Sequence, residues 1–297
     1  MTQHAGGSPR LSELIARFLT DLQTSNRAGA TIRTYTTDLQ HFAAFYHGAV
    51  DALTSDVVCQ YCTTLLHLKP ASRARKQAAL ASFCTWAYRH DYLATNPMLK
   101  VDRVRRDPPT RQGITREQAE AILAVIPKEQ ERDRLLFRLI LETGLRISEA
   151  LQLDVDDLDL TLDDEHLRVQ GKGGNRRTIL LDDPRLVKQL RSYLSHTDYR
   201  HGLLFRAQKN GDGQALRYQS VQERWAAYCQ QAGIRCTLHQ LRHTHATELV
   251  NEGVSLNTIR KRLGHKHIQS TLRYAEQTDR AADAEIRAWR RRKNQRS

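Results

Sequence analysis

The feature that most constrains this chain is a break in its pattern. Asn96-Pro97 stops helical structure, and residues 99–113 (LKVDRVRRDPPTRQG) carry no apolar periodicity, a Pro108-Pro109 pair, and the cations Lys100, Arg103, Arg105, Arg106 and Arg111. Such a stretch has no apolar face to bury. It predicts an extended basic linker of polyproline character between two separate cores. A length of 297 residues also exceeds one typical domain. The expected partition is a helical domain over 1–98, a linker over 99–113 and a second domain over 114–297.

Before the break the apolar spacing is helical throughout. Leu11, Leu14, Ile15, Phe18, Leu19 and Leu22 recur at three- and four-residue steps, and Asn26 and Gly29 end that run. A second helix fits 31–47 through Ile32, Tyr35, Leu39, Phe42 and Tyr46, with Gly48 as a stop. Thr54-Ser55-Asp56 suits the N-cap of a third, and a fourth follows Pro70 to about Asp91. With no strand-like alternation, this half reads as an all-α bundle of four helices. Arg73, Arg75 and Lys76 share a segment with few acids, which suits contact with phosphates. Arg103, Arg105 and Arg106 in the linker are candidates of the same kind.

After the break the pattern is mixed. Thr115 and Gln118 form a capping box, and Leu135, Leu136, Leu139 and Ile140 mark an amphipathic helix over about 132–142. Thr143-Gly144-Leu145 turns the chain into a short helix beginning at Arg146. There a guanidinium and backbone N–H groups can face one anion, with Glu149 one turn on to orient it. By itself this is equally an ordinary surface ion pair. The period then changes to two: His166–Gln170 and Arg177–Leu181 read as strands around a Gly-rich turn that holds Lys172, followed by Arg176 and Arg177, two further candidates for DNA contact. Helices are expected near 184–195 and 218–232. The next helix starts near Thr237 and places His239 and Arg242 together on its first turn. Gly253 ends it. A shorter helix closes at Gly264, His265 follows directly, and Thr271–Tyr274 carries a phenol.

Charge points to the partner. There are 46 basic and 33 acidic residues, a formal net charge of +13. A polyanion is the natural counterpart, and nucleic acid is the commonest one. The five cysteines show no paired metal spacing, and with no signal peptide they suggest reduced thiols and a cytoplasmic, nucleoid-associated protein. No apolar run is long enough for a membrane span. His239, His243, His245, His265 and His267 are dense, but HExxH is absent, no Cys or carboxylate completes a set, and Arg242 would repel a dication. No metal is expected.

Four segments now stand in order: TGLRISEALQL (143–153), GKGGNRR (171–177), HQLRHTHAT (239–247) and LGHKHIQSTLRY (263–274). Together they resemble the tyrosine recombinase (phage integrase) family, in particular its Xer-like and mobile-element-encoded members. The resemblance is strongest over 114–275 and weaker over the helical half. It implies a mainly α, two-domain protein: a four-helix SAM-like core-binding domain, then an α-rich catalytic domain with a small antiparallel sheet. It implies an enzyme that cuts and rejoins DNA through a 3′-phosphotyrosine, with no cofactor. Arg146 and Arg242 would clamp the scissile phosphate and Tyr274 would attack it. Lys172 would protonate the leaving 5′ oxygen, His239 and His265 would assist, and Glu149 would support Arg146. Leu238 departs from the proline many relatives carry before the histidine. Implied partners are double-stranded DNA with inverted-repeat core sites, further copies of the chain (a dimer per site, a tetramer in synapsis), and accessory DNA-binding proteins. A tail helix over about 279–292, with Ala282, Ile286 and Trp289 as its apolar stripe, would dock on a neighbouring protomer. Competing readings are a type IB topoisomerase and a non-catalytic DNA-binding protein of the same fold.

Overall fold

Contacts divide the chain between Thr110 and Arg111. The computed structural model describes residues 10–105, 113–171, 174, 176–207, 213–264, 287, 290 and 291. Lys172, His265, Tyr274, Arg106 and nearly all of the expected tail helix lie outside these residues.

The first unit is the four-helix bundle that the spacing implied: α1 (Leu11–Thr24), α2 (Gly29–Phe45), α3 (Ser55–Thr64) and α4 (Pro70–Arg89). The chain's own chemistry sets two of the starts. The Thr54 side chain accepts from Val57 N, and Pro70 occupies the first turn of α4, where a missing N–H costs nothing. Leu14, Phe18, Leu39, Phe42, Val58, Tyr61, Leu80 and Phe83 close the core. Phe18 meets Phe83 edge-on at 5.8 Å and Phe42 meets Tyr61 at 4.9 Å between ring centroids.

Two expectations change here. The stretch from residue 99 is not an extended linker at its start. Pro97–Lys100 forms a 3₁₀ turn, Met98 and Val101 pack on the bundle, Gln77 Nε2 donates to Asp102 O (2.7 Å), and Val104 N donates to Gln77 Oε1 (3.0 Å). A single buried glutamine satisfies the backbone there, which no periodicity reveals. Lys76 is likewise not an exposed phosphate contact. It is buried on α4 with Nζ 3.3 Å from Asp38, whose carboxylate also pairs with Arg75. Arg103 and Arg105 are exposed, Arg75 keeps part of its side chain in solvent, and Arg73 is half-buried.

The second unit is built around α6 (Glu131–Thr143), with α5 (Arg116–Ala124), α8 (Pro184–Thr197) and α10 (Leu238–Asn251) packed on it. The Thr115–Gln118 capping box starts α5 as expected. Leu136, Phe137, Leu139, Ile140 and Leu141 are buried on several sides of α6, so this is a central helix rather than a surface one. Trp225 of α9 (Tyr218–Gln231) lies 4.8 Å from Phe137.

The hairpin is present as β2 (His166–Gln170) and β3 (Arg176–Leu180), paired from His166↔Leu180 to Gln170↔Arg176. Leu167, Val169 and Ile179 face the core at period two. A two-residue β1 (Leu158–Asp159), too short to leave a sequence pattern, pairs antiparallel with β2. Two short helices complete the described part, α7 (Ile147–Ala150) and α11 (Leu256–Leu263). Among the described residues no helix is long and apolar enough to cross a membrane.

Candidate active site

The site grows from the turn after α6. Gly144 ends that helix at φ +65, and a Cβ there would come within 2.6 Å of Leu263 and 2.7 Å of His245. Only glycine offers both the left-handed conformation and the space. The turn delivers Arg146 to the N-cap of α7 and buries Glu149 at the third helical position. Glu149 Oε2 accepts from Arg146 N (2.9 Å), and Oε1 accepts from Arg146 Nη1 (2.9 Å). The pair is therefore not a surface ion pair. Its carboxylate is buried, while the Arg146 side chain remains 39% exposed.

The second arginine reaches the same carboxylate from α10. Thr237 opens that helix with a capping box to Gln240, which aims the first turn inward. Arg242 is 1% exposed, donating from Nη1 to Gly144 O (2.6 Å) and from Nη2 to Leu263 O (2.8 Å). Its Nη1 stands 3.9 Å from Glu149 Oε2. A buried guanidinium is tolerable only when carbonyls and a counter-charge replace its water, and both are present. His239, one turn earlier, is exposed, its ring edge-on to His243 at 4.8 Å. The sequence-predicted Arg146, Glu149 and Arg242 thus meet in one region, with His239 one turn before Arg242 on α10. Lys172, His265 and Tyr274 lie outside the described residues.

Arg177 departs from expectation. Read as a phosphate contact, it is instead nearly buried on β3 and bidentate to Glu149, Nη1 to Oε1 at 3.1 Å and Nη2 to Oε2 at 2.9 Å. Its Nε donates to Arg262 O at 2.9 Å. Arg176, beside it, points the other way and is exposed, as alternation along a strand requires. Burial would push the Glu149 carboxyl up, but the hydrogen bonds from Arg177 and Arg146 outweigh it and hold the group below the usual carboxylate range. Glu149 is therefore an anion at neutral pH that gathers three guanidinium groups.

Two residues have roles that the sequence reading did not give them: Arg262, which it did not name, and His245, which it weighed only as a metal ligand. Arg262, in the last turn of α11, donates from Nε to His245 Nε2 (3.1 Å) and from Nη1 to Leu180 O (3.1 Å). Its Nη2 donates to Glu142 O (3.0 Å) and to Asp182 Oδ1 (2.9 Å). His245 is buried beside Gly144. Burial, with the Arg262 and Arg242 charges, pushes its pKa down to about 3, so it stays neutral and accepts. A signal existed for His245: it stands seven residues after Leu238 and four after Leu241, on the apolar stripe of α10. For Arg262 there was none, because a basic residue closing a helix reads as a dipole partner in solvent.

Of the three guanidinium groups on this buried carboxylate, Arg146 reaches solvent, and the cluster forms a cationic seat suited to a phosphodiester. Among the described residues no cluster of His, Cys, Asp or Glu has metal-holding geometry.

Comparison with known proteins extends this beyond the site. Residues 112–281 match the model of the phage integrase family, and residues 15–91 match that of the phage integrase N-terminal SAM-like domain. Tyrosine recombinase XerA of Pyrococcus furiosus is 30% identical over 271 residues, 90% of each chain. Among solved structures, the XerH site-specific recombinase bound to palindromic difH substrate in a post-cleavage complex aligns with a TM-score of 0.74 at 20% identity. That alignment covers 94% of this chain and 96% of the other. The lambda integrase tetramer bound to a Holliday junction aligns with a TM-score of 0.76 at 16% identity, over 93% and 79%. At those identities the structural matches speak for the fold. The family models and the relative matched along its length decide the rest: this chain belongs to the phage integrase family.

Proposed function

We propose that the chain is a site-specific DNA recombinase that cleaves and rejoins strands through a covalent 3′-phosphotyrosine. One observation carries the chemistry: Arg146 and Arg242, nearly a hundred residues apart, converge on the buried Glu149 carboxylate. Two fixed forks at that seat hold the scissile phosphate and stabilise the pentacoordinate phosphorane, whose charge is greatest in the transition state. Tyr274 is the nucleophile. A phenol ordinarily titrates near 10, and nearby guanidinium charge favours its phenolate. Lys172 protonates the departing 5′ oxygen, and His239 and His265 hydrogen-bond the phosphate or relay protons. The phosphotyrosine conserves the energy of the broken bond, so a 5′ hydroxyl of another strand reverses the step with no cofactor.

The substrate is double-stranded DNA with inverted-repeat core sites, bound by two copies and synapsed by four, with accessory DNA-binding proteins where the element uses them. Exposed Arg103, Arg105 and Arg176 contact the backbone, and the tail over 279–292 links protomers. Such a protein works in the cytoplasm, at the nucleoid. The test is a nicked suicide duplex built on the inverted repeat that the protein itself selects from a random-sequence pool. The native chain is expected to form a covalent adduct and Tyr274→Phe none. An adduct persisting in Tyr274→Phe overturns the nucleophile, and no adduct from the native chain overturns the enzyme.

A further inference from the structure

Helix α11 and strand β3 are joined in a reciprocal way. Arg177 of β3 donates from Nε to the Arg262 carbonyl at the end of α11 (2.9 Å), while Arg262 of α11 donates from Nη1 to the Leu180 carbonyl at the end of β3 (3.1 Å). Each side chain caps the other element's backbone. Both clasp members reach further. Arg177 is bidentate to Glu149, and Arg262 also holds Glu142 O at the end of α6 and His245 Nε2 on α10. The packing here is close. A Cβ on Gly264 would stand 3.0 Å from the Arg177 guanidinium, at a φ of +66 that already favours glycine.

The sequence gives these joints their meaning. β3 is the strand that follows the Lys172 turn, and α11 ends one residue before the Gly264-His265 pair. Arg262 O and Leu263 O are neighbours: the first accepts from Arg177, the second from Arg242. Burying two cations nearly completely costs much desolvation, and an apolar pair would serve stability as well. What an apolar pair lacks is direction. A planar fork with several fixed acceptors sets the register of four elements at once.

We propose that Arg177 and Arg262 are positioning residues that hold the strand following Lys172 in register with the helix end preceding His265 and with the Arg146–Glu149–Arg242 seat. This rests on the recombinase reading above. Neither residue touches DNA in this role. Their part is to keep the proton donor of the Lys172 turn aligned with the leaving oxygen.

The prediction is therefore specific to leaving-group protonation, and a substrate chosen for that purpose tests it. A 5′-bridging phosphorothiolate replaces the leaving oxygen by sulfur. A thiol titrates near 8.5, so the thiolate departs without a proton. Adduct formation by Arg262→Met and Arg177→Lys is measured on the ordinary nicked duplex and on its sulfur counterpart, at a temperature where each variant is folded by circular dichroism. Both variants are expected to bind the duplex within about twofold of the native chain and to cleave the ordinary bond at least about tenfold more slowly. They should regain most of the rate on sulfur. Arg146→Ala, which disturbs the phosphate seat itself, should stay slow on both. Unchanged cleavage of the ordinary bond, or an equal loss on oxygen and sulfur, overturns the proposal. Should Arg262→Met not fold, Arg177→Lys alone decides it. An inactive native chain sinks the recombinase reading instead, and the two failures are told apart by that lane.

Discussion

Each unit of this protein holds a carboxylate buried among cations, Asp38 in the first and Glu149 in the second, and these two do different things. In the first, Asp38 takes Arg75 and Lys76 from the same helix, and Lys76 disappears from the surface. In the second, Glu149 takes Arg146 from its own turn, Arg177 from β3 and the approach of Arg242 from α10, and Arg146 stays open to solvent. Asp38 binds neighbours on one helix and staples it to α2. Glu149 binds cations from its own turn, from β3 and from α10, and leaves one available. The same ion-pair chemistry is scaffolding in one place and, in the proposed function, assembly of the phosphate seat in the other. The difference lies in how many elements supply the partners: α4 alone for Asp38, and the turn before α7, β3 and α10 for Glu149.

Substitutions at the two carboxylate clusters can break this contrast. The largest effect is expected for Arg242→Lys. A point charge cannot replace a fork that holds Gly144 O and Leu263 O and, in the proposed function, the scissile phosphate, so covalent adduct should fall by two to three orders of magnitude, roughly the cost of losing a transition-state donor. Binding in a gel-shift titration should survive. Near-normal adduct would place the seat elsewhere.

In the first unit the effect should be on stability instead. Asp38→Ala leaves Lys76 buried beside no counter-charge and should cost about 3 kcal/mol in a denaturant melt. The double variant Asp38→Leu with Lys76→Met should recover most of that. Cleavage per folded molecule should stay within about twofold. If it drops as Arg242→Lys does, the two clusters are not functionally distinct.

A third measurement sharpens the comparison through pH. His245 has a folded pKa pushed down to about 3 against an ordinary value near 6.5. Between those values the unfolded chain binds the extra proton, so stability rises with pH there and is lost as pH falls below 6.5. By pH 5 His245 should cost the second unit about 2 kcal/mol, while His41, also pushed down by burial, gives the first unit a loss of the same sign. His245→Gln should flatten that slope, and an unchanged slope would mean that another group is responsible. The Glu149 carboxyl is held below the usual carboxylate range by Arg177 and Arg146, so its contribution is present above that range and is lost as pH falls through its lowered pKa.

The smallest effects belong to the exposed cations. Arg103→Gln and Arg105→Gln should each weaken DNA binding alike across sequences and lower the salt dependence by about one counterion, with cleavage of bound DNA unchanged. A salt slope that does not move would remove that residue from the interface.

Much of this molecule was legible from its residues in order. Apolar spacing marks α1 to α4, the caps at Thr54, Thr115 and Thr237 mark helix starts, and period two marks β2 and β3. These signals are local: each is written within one turn or one strand. The ordered appearance of TGLRISEA, GKGGNRR, HQLRHTHAT and LGHKHIQSTLRY was enough to indicate the family and the side chains to watch. What a cation is for was not legible. Arg176 and Arg177 are adjacent and identical in type, yet one faces solvent and the other grips Glu149. Lys76 and Arg103 differ in the same way. Whether a charged group is a contact or a strut depends on which carboxylate or carbonyl lies beside it in space. For Arg262 the partners come from α6, β3, the loop after it and α10. Local sequence determined the elements and the chemistry available. Only the tertiary structure decided which charges are desolvated and paired, because desolvation depends on neighbours brought together from far along the chain.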